Sequence, residues 1–135
     1  MIKTKTKKVP SSLLALIGFI TLVIYLSITL LGGSVSYKDI NAEEAKNLIS
    51  KNSELIMIDV REPFEYENGH IPGSKLIPLG ELSSELHKLN QDSSILLICR
   101  SGNRSSQAAN LLVEKGFKQV YNLAGGIINW PYDIE

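Results

Sequence analysis

Between Lys8 and Lys38 the chain has no charged side chain, and this stretch limits what the rest can fold into. Within it, Leu13 to Leu31 is nearly all Leu, Ile, Val and Phe, interrupted only by Ala15, Gly18, Thr21, Tyr25, Ser27 and Thr29. At 1.5 Å rise per residue such a helix is about 28 Å long, close to the roughly 30 Å hydrocarbon thickness of a bilayer. Pro10 with Ser11 and Ser12 reads as a helix start, and Gly32-Gly33 as its stop. The expectation is one transmembrane helix over residues 11–33 behind a short basic tail, residues 1–10. A buried core helix would need more protein around it than about 100 further residues supply. A cleaved signal peptide is the closer alternative, given the lysine-rich start and the small residues Ser34 and Ser36. Signal-peptide cores run about 7–15 residues, and the longer run here favours an uncleaved anchor.

Charge divides along the same line. The 135 residues carry 14 Lys+Arg and 14 Asp+Glu, a formal net charge of zero. Lys3, Lys5, Lys7 and Lys8 are the only charges before Lys38, so the N-terminal piece is basic and the remainder acidic. Four lysines ahead of the span, against Lys38 and Lys46 soon after it, place the tail in the cytoplasm and residues 36–135 outside by the positive-inside rule. If the segment is cleaved, an exported soluble domain results. A nucleic-acid binder would concentrate basic charge on its folded part, and this chain does the reverse.

From about Ser36 onward, strand-like and helix-like stretches alternate. Asn41-Ala-Glu-Glu44 has the form of a capping box, with Ala45, Leu48 and Ile49 after it at helical spacing. Leu55 to Val60 and Ile95 to Ile98 are short apolar runs of the kind buried on both faces of a sheet. Ser74 to Leu79 and Gln119 to Leu123 read as further strands. Leu82, Leu86 and Leu89 mark one helix, and Ala108, Leu111 and Leu112 another that stops at Gly116. The fold class expected is α/β, with a central parallel sheet flanked by helices on both faces. Ligands in such sheets sit beyond the carboxyl ends of strands, where Asp59 and Cys99 both lie.

Cys99 is the only cysteine, so no dithiol cycle can form within the chain. After a buried strand a lone cysteine is by base rate inert. The residues just beyond Cys99 argue otherwise. Ser101, Gly102 and Asn103 permit a tight turn, and a helix begins near Arg104. A loop curling into a helix N-terminus aims several amides at one point, which binds an anion and lowers a thiol pKa. Arg100 and Arg104 add permanent positive charge. A thiolate nucleophile acting on an anionic substrate is the chemical reading.

These residues resemble a family. Cys99-Arg-Ser-Gly-Asn-Arg-Ser105 is similar to the active-site loop of rhodanese-domain sulfurtransferases. Asp59-Val-Arg-Glu62 with Glu65-Tyr66 and Gly69-His-Ile-Pro-Gly73 resembles the first rhodanese signature, and Asn122-Leu-Ala-Gly-Gly-Ile127 with Trp130 the C-terminal one. The resemblance covers roughly residues 36–131. It implies that the Cys99 thiolate takes the outer sulfur of a thiosulfate-like donor as a persulfide and passes it to a thiol or to cyanide, with no metal or organic cofactor. It also implies that the loop from Arg100 through Ser101, Gly102, Asn103 and Arg104 to Ser105 cradles the persulfide and the donor anion.

Asp59 and Arg61 are expected as structural partners, bonding loop backbone or Glu65. His70, in a turn-forming context, is expected to shape the chain rather than act as a base. His87 is expected to be solvated and Trp130 to pack the C-terminal turn, and nothing has metal-ligand spacing. Within the same fold class, phosphatases and arsenate reductases have five residues between Cys and Arg. Here only four separate Cys99 from Arg104, a cradle better sized for sulfur. A module that carries or senses sulfur at the membrane without turnover is the other alternative.

Overall fold

The computed structural model describes residues 10–31 and 36–135, with side chains for 10–27 and 36–135. Two units divide the chain, Met1–Ser34 and Val35–Glu135. In the first, α1 runs Ser11–Leu31, 21 residues. It starts where Pro10 cannot donate, and the Pro10 carbonyl takes the amides of Leu13 and Leu14. Two of its hydroxyls bond its own backbone: Thr21 Oγ1 donates to the Gly18 carbonyl at 2.9 Å and Ser27 Oγ to that of Val23. Among the described residues, no helix is long and apolar enough to cross a membrane. The transmembrane helix expected over 11–33 is thus not found among them. Most of the expected basic tail and the stop at Gly32-Gly33 lie outside the described residues.

The second unit is built on five parallel strands in the order β1-β5-β4-β2-β3. They are β1 (Lys38–Ile40), β2 (Ile56–Asp59), β3 (Lys75–Leu76), β4 (Ser94–Ile98) and β5 (Gln119–Leu123). Between them lie α2 (Ala42–Lys51), α3 (Pro63–Glu67), α4 (Leu79–Glu85) and α5 (Asn103–Glu114), with short 3₁₀ turns at Leu86–Lys88 and Ile127–Asn129. The α/β class and parallel sheet expected from the sequence are both present. The expected capping box of α2 is formed: Asn41 Oδ1 accepts the Glu44 amide and Glu44 Oε2 the Asn41 amide, both at 2.9 Å.

Three elements differ from expectation. The strand expected over Ser74–Leu79 is only Lys75–Leu76, because Pro78 has no amide to offer and instead precedes α4. β1 is not foreseeable, since Lys38 and Asp39 hide a three-residue edge strand. Nor is α3 among the expected helices, although Pro63 at its first position and reciprocal Glu62–Glu65 bonds form a helix start.

The period-2 alternation of β4 divides the core. Ile95, Leu97 and Cys99 join Leu82, Ala108, Ala109 and Leu112 on one face of the sheet. Leu96 and Ile98 join Ile40, Ala45, Leu123 and Trp130 on the other. Both faces of the central strand are therefore sealed, and Cys99 is placed on the side covered by α4 and α5. β2 and β4 are neighbours, with Asp59 opposite Ile98. The chain leaves β2 toward β3 on one flank and leaves β4 toward β5 on the other. The crevice between their carboxyl ends is thus a topological switch point, where this architecture binds ligands.

Candidate active site

Cys99 comes directly after β4 and is 1% exposed. Its loop turns through Gly102, at φ 98°, into the first turn of α5. That backbone conformation strongly favours glycine, and a Cβ there would stand 3.1 Å from the Gly125 amide nitrogen. The turn aims donors at the sulfur. The Gly102 amide donates to Cys99 Sγ at 3.1 Å and Ser105 Oγ at 3.2 Å. Burial pushes the thiol up. The Ser105 hydroxyl, together with the amides of Ser105, Ser101 and Gly102, outweighs that and holds it below its ordinary value.

The C-terminal glycine motif fixes this loop from below. The Ile127 amide donates to the Cys99 carbonyl at 2.9 Å and the Ile128 amide to that of Arg100 at 3.2 Å. Gly126, at φ 64°, lies so close that a Cβ would sit 2.3 Å from the Arg100 carbonyl oxygen. In the sequence Gly125-Gly126 is only part of a signature. Its contact with a loop some 25 residues earlier has no local signal.

The two loop arginines are differently engaged. Arg104 forms a fork with Glu65, Nη1 to Oε2 at 2.6 Å and Nη2 to Oε1 at 2.8 Å. The Arg104 guanidinium, helped by the Glu62 amide and against the cost of burial, holds the Glu65 carboxyl at about 2. Glu65 in turn raises the pKa of Arg104. Arg100 is exposed, and among the described residues no carboxylate pairs with it. The sequence marks Glu65 only as part of the first signature and as a possible partner of Asp59 or Arg61, whereas the structure pairs it with Arg104. Its link to Arg104 spans 39 positions and is invisible to periodicity.

Asp59 and Arg61 pair with each other, both buried. Asp59 Oδ2 accepts from Arg61 Nη2 at 2.7 Å, and Oδ1 takes the Arg61 amide at 3.0 Å. Arg61 Nη2 also donates to the Gly69 carbonyl at 2.8 Å, so this pair braces loop backbone. His70 stacks on Tyr66 at 3.7 Å between ring centroids, and its backbone pairs in both directions with Glu135. Trp130 is buried against the Leu96–Leu123 side of the core. His87 sits on the surface, Nδ1 2.7 Å from the Ser84 carbonyl. Among the described residues, no group of three or more His, Cys, Asp and Glu side chains gathers as a metal ion would need.

Comparison with known proteins agrees with this architecture. The family model of the rhodanese-like domain matches residues 41–132. YrkF of Bacillus subtilis, named as a candidate sulfur carrier, is 41% identical over 100 residues, which are 74% of this chain and 54% of YrkF, so the chain spans about half of that relative. The uncharacterized YqhL of Bacillus subtilis is 34% identical over 125 residues, 93% of this chain and 97% of YqhL. The thiosulfate sulfurtransferase GlpE of Pseudoalteromonas translucida is 32% identical over 96 residues, 71% of this chain and 90% of GlpE. Among solved structures, a rhodanese-related protein from Thermoplasma volcanium superposes with a TM-score of 0.66 at 35% identity, covering 73% of this chain and 98% of that one. With its loop, its signatures and its sheet order in place, the chain belongs to the rhodanese-like domain family, whose named members include sulfurtransferases.

Proposed function

We propose that the domain is a sulfurtransferase that moves a sulfane sulfur through a persulfide on Cys99. The observation that carries this reading is the convergence of the Gly102 amide and Ser105 hydroxyl on Cys99 Sγ, in a thiol held below its ordinary pKa. The Cys99 thiolate attacks the outer sulfur of a thiosulfate-like donor; a new S–S bond forms, the donor S–S bond breaks, and sulfite leaves with the electron pair. The same donors that stabilise the thiolate stabilise the persulfide anion, so no general base is needed at the sulfur. An acceptor thiolate or cyanide then takes the outer sulfur and returns Cys99 as thiolate. Arg100 to Ser105 form the cradle, Asp59 and Arg61 support it, and the chemistry asks for no metal or organic cofactor.

The measurement is thiocyanate formation from thiosulfate and cyanide by the detergent-solubilised full chain. Cys99→Ser is expected to abolish it, by on the order of a thousandfold or more, as loss of a covalent nucleophile does. A Ser variant with wild-type turnover contradicts the mechanism. Faster hydrolysis of an aryl phosphate than sulfur transfer would favour phosphatase chemistry instead.

The domain is further proposed to work tethered to a membrane, with the net-acidic domain on the outer side. Support comes from the run without charge between Lys8 and Lys38 and from the four lysines ahead of it. Protease added to intact cells is expected to remove the domain, and full protection would reverse the orientation.

A further inference from the structure

Residues 133–135 lie as a short strap along the turn between α3 and β3, beyond the residues 41–132 that match the family model. The His70 amide donates to the Glu135 carbonyl at 2.8 Å and the Glu135 amide to the His70 carbonyl at 2.9 Å. The Gly73 amide reaches Glu135 Oε1 at 3.4 Å. Ile134 packs on Gly69, so closely that a Cβ there would stand 2.8 Å from its Cδ1. The same Ile134 is one wall of the crevice that Arg100 also lines. The strap therefore sets part of that wall.

The His70 ring meets an acceptor at both of its nitrogens. Nδ1 is 3.1 Å from the Tyr66 carbonyl and Nε2 is 3.5 Å from Glu135 Oε1. A carbonyl only accepts, so Nδ1 carries a hydrogen, and in the neutral ring Nε2 is then a lone pair facing a carboxylate. The imidazolium has an N–H at each position and satisfies both oxygens. Stacking on Tyr66 at 3.7 Å between centroids fixes the plane in which the two nitrogens point. Of the other titratable groups around the turn, Arg61 reaches the Gly69 carbonyl and is matched by Asp59, and the Tyr66 hydroxyl donates to the Ser74 carbonyl. Glu67, Lys75 and Asp133 are exposed. We propose that His70 and Glu135 form a proton-operated latch: the imidazolium holds residues 133–135, and the Ile134 wall with them, against the turn, and the neutral ring lets them go. Imidazole changes charge between about pH 5 and 8, so the latch is closed at the acid end of that range and loosens as pH rises.

The test is NMR measurement of amide–water exchange in the detergent-solubilised full chain, each rate taken relative to an unstructured peptide at the same pH. The His70 and Glu135 amides are expected to lose about fivefold in protection between about pH 5.5 and 8, the factor that a partly exposed ion pair at the top of its usual range supplies. The Ile77 amide, bonded to the Asp59 carbonyl away from the strap, is the reference and is expected to stay constant. Glu135→Gln keeps the backbone bonds and is expected to abolish the fall, as is His70→Gln. Glu135 is 60% exposed, so its variant folds and decides the matter even if that of His70 does not. Equal protection at both pH values in the wild type, or a fall that survives in Glu135→Gln, overturns the latch. Neither result depends on the reaction at Cys99.

Discussion

Two neighbouring strand ends in this domain receive the same kind of loop and use it in opposite ways. β2 and β4 run side by side, Asp59 opposite Ile98, and each passes into a turn and then a helix. At the end of β2 the donors are spent on the chain's own carboxylate: Asp59 takes the Arg61 amide and guanidinium, and Arg61 spans to the Gly69 carbonyl. At the end of β4 the donors converge on a sulfur that chemistry can change. A parallel sheet supplies both positions. The one filled by an internal ion pair is scaffold, and the one that ends at Cys99 is the site proposed for sulfur transfer.

The contrast is broken most severely at the scaffold. Asp59→Ala leaves the Arg61 guanidinium buried without its partner, and removal of one member of a buried pair costs about 3–5 kcal/mol. Urea unfolding of the variant should show that loss. A change below about 1 kcal/mol, the size of a surface ion pair, would mean that Arg61 finds water and that the β2 end is not a sealed brace.

The smaller effect lies where the two ends are joined, at Glu65 and Arg104. The folded carboxyl sits at about 2, below its ordinary value of 4.5. Its contribution is therefore fully present above pH 4.5 and is lost as pH falls toward about 2. Because Arg104 is partly exposed, solvent screening leaves roughly 1–2 kcal/mol. Unfolding free energy measured between those pH values should fall more in the wild type than in Glu65→Gln. Parallel curves would show that the fork carries no net stability.

How much of this is legible in the sequence depends on the reach of each signal. β4 and β5 can be read because apolar runs and turn residues are local, and α2 because its capping box closes within four residues. Cys99 can be read because strand, loop and helix start are contiguous. β1 cannot, because two of its three residues are charged and its place is set by pairing with β5, more than eighty residues on. The same limit hides the partner of Arg104. Charge and spacing mark Arg104 as an anion ligand, but only the fold brings Glu65 to it and leaves Arg100 as the uncommitted cation. The packing of Gly126 on the Arg100 carbonyl is likewise a tertiary fact, although a pair of glycines before a 3₁₀ turn hints that something approaches closely.

The central claim is that the end of β4 holds sulfur in an anionic, covalent form. The direct measurement is mass spectrometry of the full chain after incubation with a sulfane donor and removal of the excess. The account predicts one added sulfur atom on the peptide containing Cys99, removed by cyanide with an equal yield of thiocyanate. Thiocyanate formed at the full rate while Cys99 never gains sulfur would contradict it.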